Sequence, residues 1–125
     1  MGCDIHIFIE KRVKDGWQEV VFPKWLLPRD RNYALFGFLS RVRSLDYQSS
    51  FLRNGWPGDS QLKAMDFPDF HSFGYSYLDN IRNLSWPFEL EDCYFNMFMQ
   101  YICMRHPDLE DVEDRDIRIL VCYDN

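Results

Sequence analysis

The sequence predicts a single α+β domain, residues 1–125, built on a small, mostly antiparallel sheet. An N-terminal hairpin and a C-terminal strand form that sheet, two or three helices cover it, and a long central loop borders it. Three observations lead there. The chain opens on a strictly alternating run, Cys3-Asp4-Ile5-His6-Ile7-Phe8-Ile9-Glu10, and closes on another from Ile117 to Asp124. Alternation of period two marks strands with two unlike faces. Between them, Leu90, Tyr94, Met97, Phe98, Tyr101 and Ile102 recur at three and four, the spacing of a helix with an apolar stripe. At 125 residues the chain is long enough to bury one core.

Each element follows in order. Ile5, Ile7 and Ile9 give the first strand a core face, and Asp4, His6, Phe8 and Glu10 point the other way. Lys14-Asp15-Gly16 is a turn signal, so Trp17 to Phe22 is the expected hairpin partner. Pro23 and Pro28 then break regular structure over 23–32. Leu35, Phe38, Leu39 and Val42 form a helical stripe within Tyr33–Arg43, although Gly37 weakens it. From Ser44 to Phe70 the periodicity dissolves, and so long a segment is often either mobile or a wall of a site. A short helix is expected within Ser72–Leu84, with Tyr77, Ile81 and Leu84 on one side. Pro87 opens the helix over about 88–105, acidic residues favour its first turn, and Pro107 ends it. The acidic run from Asp108 to Asp116 leads into the last strand, where Ile117, Ile119, Val121 and Tyr123 alternate with Arg118, Leu120, Cys122 and Asp124.

Composition excludes several functions. Twenty acidic against fourteen basic residues give a net charge of −6, which argues against direct binding of nucleic acid through its phosphates. Eleven Phe, seven Tyr and four Trp supply area for a core or an interface. Cys3, Cys93, Cys103 and Cys122 form no CxxC pair, and no signal peptide or long apolar run is present. Free thiols of a cytoplasmic protein with no membrane span account for them. Gly2 invites a myristoylation reading, but His6 stands where that motif wants Ser or Thr.

Three constellations could carry chemistry. Asp4 and His6, two apart on a strand, lie about 6.6 Å apart on one face. Carboxylate and imidazole at that spacing suit a divalent metal such as Zn, Mn or Fe, or one substrate atom. If the end strands pair, Asp124 joins them. A half-buried strand face bonded to backbone or water is the simpler account. His71-Ser72, preceded by Asp69 and followed by Gly74, could supply a ligand, a base or an anion-binding turn. A Ser-His-Asp hydrolase is a further alternative there, against which stand the rarity of neighbouring His and Ser facing each other and the lack of a GxSxG elbow. Arg41 and Arg43, with Arg31 nearby, could grip a phosphate or carboxylate, or simply balance surplus acids. The candidate ligand-binding set is therefore Asp4, His6, Arg41, Arg43, His71, Ser72 and Asp124, and the candidate metal set Asp4, His6, His71 and Asp124.

The opening Met1-Gly2-Cys3-Asp4-Ile5-His6 resembles that of small, largely uncharacterised proteins encoded by bacteriophages, prophages and large DNA viruses. In that group an Arg-x-Tyr-x-Leu-Phe helix ending in Val-Arg follows, then a His-Ser-His-Ser-like stretch and a final strand ending in Asp-Asn. Arg31-Asn32-Tyr33-Ala34-Leu35-Phe36, Val42-Arg43, His71-Ser72 with Tyr75-Ser76-Tyr77-Leu78, and Asp124-Asn125 look like the counterparts. Tyr75 stands where the second His would be, after an inserted Phe73-Gly74, which removes a ligand from any two-histidine metal site. The resemblance implies a viral origin, an accessory role and a place in the host cytoplasm.

Two functions follow as expectations. One is a polar pocket that binds a small phosphorylated or nucleotide ligand, such as a signal of a host defence system, with metal-dependent phosphohydrolysis left open. The other is an acidic, aromatic-rich inhibitor that contacts a host protein through residues such as Trp56. A homo-oligomer is compatible with both. A third account, in which Asp4, His6 and Asp124 only fix strand register, stays open.

Overall fold

A computed structural model describes residues 2–125. The two alternating ends do meet. Strand β1 (Asp4–Val13) pairs antiparallel with β5 (Ile117–Asp124), with Asp4 opposite Asp124 and His6 opposite Cys122. On its other edge β1 turns at Lys14-Asp15 into β2 (Gly16–Val20), with Gly16 at φ +142°, a backbone region that L side chains rarely enter. The sheet is completed by β3 (Arg53–Asn54) and β4 (His71–Tyr77) in the order β2-β1-β5-β4-β3, every neighbouring pair antiparallel. The architecture is α+β, as the sequence predicts.

The isoleucine face is the core. Ile5, Ile7 and Ile9 are buried with Ile117, Ile119, Val121 and Tyr123 of β5. Burying one such side chain contributes roughly 1.5–3 kcal/mol, so this face dominates the stability of the sheet. Helix α1 (Tyr33–Ser40) delivers Leu35, Phe36 and Leu39 to it, and the Asn32 side chain caps its first turn by accepting from the Leu35 N–H. Gly37 has a packing reason: a Cβ there would sit 2.6 Å from that of Ser44.

Three elements differ from the sequence expectation. His71–Tyr77 is a strand, because Phe73, Tyr75 and Tyr77 alternate with Gly74 and Ser76 on a half-buried surface that aromatic residues favour. The helix predicted there is shorter and later, α2 (Leu78–Arg82). The segment from Phe88 to Arg105 is not one continuous helix. A 3-10 turn at Phe88–Leu90 precedes α3 (Tyr94–Met97), which runs on as a π-helical stretch, Phe98–Ile102, and a 3-10 turn, Cys103–Arg105. Its core side is Phe95, Phe98, Met99 and Cys103, whereas Tyr94, Met97 and Tyr101 of the expected stripe are exposed. A run apolar on all sides hides which side faces in.

The other sheet face is covered by the central segment. Trp56 donates its indole N–H to the Val121 carbonyl at 3.1 Å and packs edge-on against Phe8 and Phe73, and Phe67 joins it. Beneath the same segment, Glu10 and Arg118, opposite each other in the ladder, form an ion pair of 2.7 Å. Ser60 donates to Glu10 at 2.8 Å, Asp59 accepts from Arg118 at 3.0 Å, and the Arg118 guanidinium lies 3.9 Å from the Trp17 ring centroid.

All four cysteines are free thiols, three of them buried. Burial pushes Cys103 and Cys122 up to about 12, so both stay protonated and unreactive near neutral pH. The folded state holds the neutral thiol more tightly than the unfolded chain does. Its stability contribution is intact below the ordinary thiol value of 9.0 and is lost as pH rises through about 12. We expect alkylation at pH 8 to leave Cys103 and Cys122 unmodified until denaturant is added, and urea midpoints to fall as pH rises above 9; rapid labelling of either in the native protein would contradict this. Among the described residues, no helix is long and apolar enough to cross a membrane.

Candidate functional site

Alternation and pairing place Asp4, His6 and Asp124 on one sheet face at its open end. Two carboxylates directly opposite in a ladder repel. Arg31 answers the first, with Nε and Nη2 at 2.8 and 3.3 Å from the two Asp4 oxygens, and this hydrogen-bonded pairing holds the Asp4 carboxyl below its usual range. His6 answers the second, with Nε2 3.3 Å from Asp124 Oδ1. That contact lacks hydrogen-bond alignment, and both atoms are shielded from solvent although the side chains are about one-third exposed. The His6 ring also leans on Phe70, with centroids 4.5 Å apart. The wall of the site therefore carries two polar atoms whose hydrogen-bonding capacity is unused.

His6 and Asp4 line a cleft of about 430 Å³ at the outer edge of β1. β2 pairs only with Ile9–Val13, so residues 4–8 of that edge face the segment 24–29, a 3-10 turn (Lys24–Leu26) and the residues after it, instead of a strand. Ile5, Ile7, Phe8, Leu27 and Pro28 make the cleft largely apolar, and Lys24 and Arg29 bring positive charge to it. Neither cation has a carboxylate partner among the described residues. The volume lies in the range of small-ligand sites, and an apolar body with a few placed polar groups is their usual make-up.

Compared with known proteins, the chain matches no family model, no curated sequence and no solved structure. The chemistry of the site has to come from its own atoms.

The remaining candidates lie elsewhere. Arg41 closes α1 in the left-handed region at φ +56° and is exposed. Arg43, at φ +64°, sits 5.6 Å from the Tyr33 ring centroid and beside the Cys3 thiol. Neither lines the β1 cleft. His71 pairs opposite Tyr123 and its ring stacks on that side chain, whose hydroxyl bonds to Ser40 of α1 at 2.8 Å. His71 and Ser72 therefore sit on the helix side of the sheet, across from His6. Among the described residues, no three His, Cys, Asp or Glu side chains gather to hold a metal ion. With Asp4 engaged by Arg31 and His71 on the other face, the expected four-ligand set does not assemble, so a metal finds only His6 and Asp124. Sequence reasoning missed Lys24 and Arg29, which stand in and after a single 3-10 turn that follows Pro23, too short a segment for periodicity to mark which residues face β1.

Proposed function

We propose that the chain is an accessory protein, of the viral kind its opening resembles, that binds a small phosphorylated or nucleotide ligand in the cleft along β1. The observation that carries this reading is the 430 Å³ cleft with Lys24 and Arg29 beside His6. Lys24 answers the phosphate as a point charge. Phe8, Leu27 and Pro28 grip the apolar body, and the His6 ring forms part of the same wall. Sequestering such a signal would blunt a host response without any reaction, and the scarcity of metal ligands favours binding over metal-dependent hydrolysis. The inhibitor reading through Trp56 has less support, because that ring is packed into the sheet.

Native mass spectrometry on protein purified without chelator tests the proposal. The parent and a Lys14→Ala control should retain the same phosphorylated molecule. Lys24→Glu and His6→Ala should weaken its binding at least about tenfold, the worth of one charge-assisted hydrogen bond. Retention that is equal in all four proteins, or absent from the parent, would remove the cleft from consideration.

A further inference from the structure

We propose that Ser72, His71 and Asn125 form a second, independent site that hydrolyses esters of short acyl groups, with Ser72 as nucleophile. The site lies on the helix side of the sheet and does not depend on the β1 cleft.

Its geometry is that of a nucleophile, a base and a positioning amide. His71 Nε2 lies 3.0 Å from Asn125 Oδ1. An amide oxygen only accepts, so it fixes the tautomer with hydrogen on Nε2. The lone pair is then on Nδ1, which stands 2.9 Å from Ser72 Oγ and accepts its proton. The Tyr123 ring, stacked at 6.2 Å and anchored by its bond to Ser40, supports the imidazole from below. Neighbouring His and Ser on a regular strand would point to opposite faces. Here a register shift between His71 and Gly74, with Ser72 at φ +57°, turns the hydroxyl back to the ring. Ser72 is not glycine, and left-handed backbone at such a residue is a form of strain that clusters at functional sites.

Ser72 also opens onto a space for substrate. A small polar cleft of about 100 Å³ is lined by Ser72, Phe73, Gly74, Ser50 and Asn54 among others. Its size admits the acyl end of an ester and leaves the alcohol outside. The side chains of Ser50 and Asn54 make no hydrogen bond among the described residues, so their donors are available to a developing oxyanion.

The chemistry closes on these groups and water. Ser72 Oγ attacks the ester carbonyl carbon, its proton passes to His71 Nδ1, and the carbonyl electron pair moves onto oxygen. Collapse breaks the bond to the alkoxy group, which takes the proton from Nδ1 and leaves as the alcohol. Water then attacks the acyl-serine while Nδ1 removes its proton. The second collapse returns the electron pair to Ser72 Oγ, which is reprotonated from Nδ1 as the carboxylic acid departs.

The test is intact-mass measurement of the full chain after exposure to a fluorophosphonate probe, with p-nitrophenyl acetate turnover alongside. One adduct per chain, mapped to Ser72, is expected. Ser72→Gly suits the left-handed backbone, so that variant should melt no lower than the parent yet take no adduct. His71→Ala should slow labelling by about a hundredfold or more. Asn125→Ala should slow it too, and Asn125→Asp should restore it, because a carboxylate accepts the same Nε2 proton. No adduct on the parent, an adduct surviving in Ser72→Gly, or labelling indifferent to His71→Ala or Asn125→Ala would each overturn the assignment.

Discussion

Arg118→Met is expected to lower stability by about 3–5 kcal/mol, the cost of leaving a buried charge without its partner. Glu10 is 0% and Arg118 1% exposed as side chains, so the carboxylate loses its partner in a site shielded from water. The substitution also strips the cation from the Trp17 ring and frees Asp59, which leaves the Ser60 bond to Glu10 as the remaining polar tie between the central segment and this pair. Methionine fills much of the arginine stem, which isolates the charge effect from a cavity effect. Urea unfolding is the measurement. Glu10→Leu combined with Arg118→Met should recover most of the loss, because removing both charges together removes the desolvation penalty. A single-variant loss below about 1 kcal/mol would mean that water enters beneath the segment and that the pair is not buried in solution.

Tyr123→Ala should cost a similar amount, about 3–5 kcal/mol, as expected for a large aromatic side chain removed from a filled core. The ring is fully buried, packs edge-on against Phe36 at 5.2 Å and bonds through its hydroxyl to Ser40. Burial, ahead of any other influence, raises the affinity of that hydroxyl for its proton. Tyr123→Phe keeps the packing and removes only the hydrogen bond, worth about 1 kcal/mol. Comparing the two by thermal melting separates packing from polarity. Equal losses in both would show that the hydroxyl, not the ring, holds α1 against the sheet.

Much of this fold was legible in the sequence because its ends alternate without interruption. Ile5, Ile7 and Ile9 demanded a core, and the matching stripe of Ile117, Ile119, Val121 and Tyr123 supplied the partner surface. The polar company of Asp4, His6 and Asp124 followed from the same alternation. β4 escaped because its periodicity is carried by aromatics set among His71, Ser72 and Gly74, and its bulge breaks the count of two. The facing side of α3 escaped because Tyr94, Met97 and Tyr101 are as apolar as the residues that are buried. The grouping of His71 with His6 failed for a geometric reason: pairing fixes the face as well as the neighbour, and no local pattern tells which face β4 presents. Glu10 and Arg118 each appeared in the alternation, but only the register sets them opposite each other.

The uncovered half of β1 bears on how copies of this chain could meet edge to edge. A sheet edge with no strand beside it can template the edge of another molecule and so start a growing ribbon. Between Asp4 and Phe8 the position of that missing strand is taken by the segment 24–29, which opens on a 3-10 turn after Pro23 and contains Pro28, prolines whose nitrogens have no hydrogen to donate. Lys24 and Arg29 add charge that an incoming strand would have to bury. The segment thus stands as a fender along the edge, occupying the place of a strand while keeping a cleft open between itself and β1.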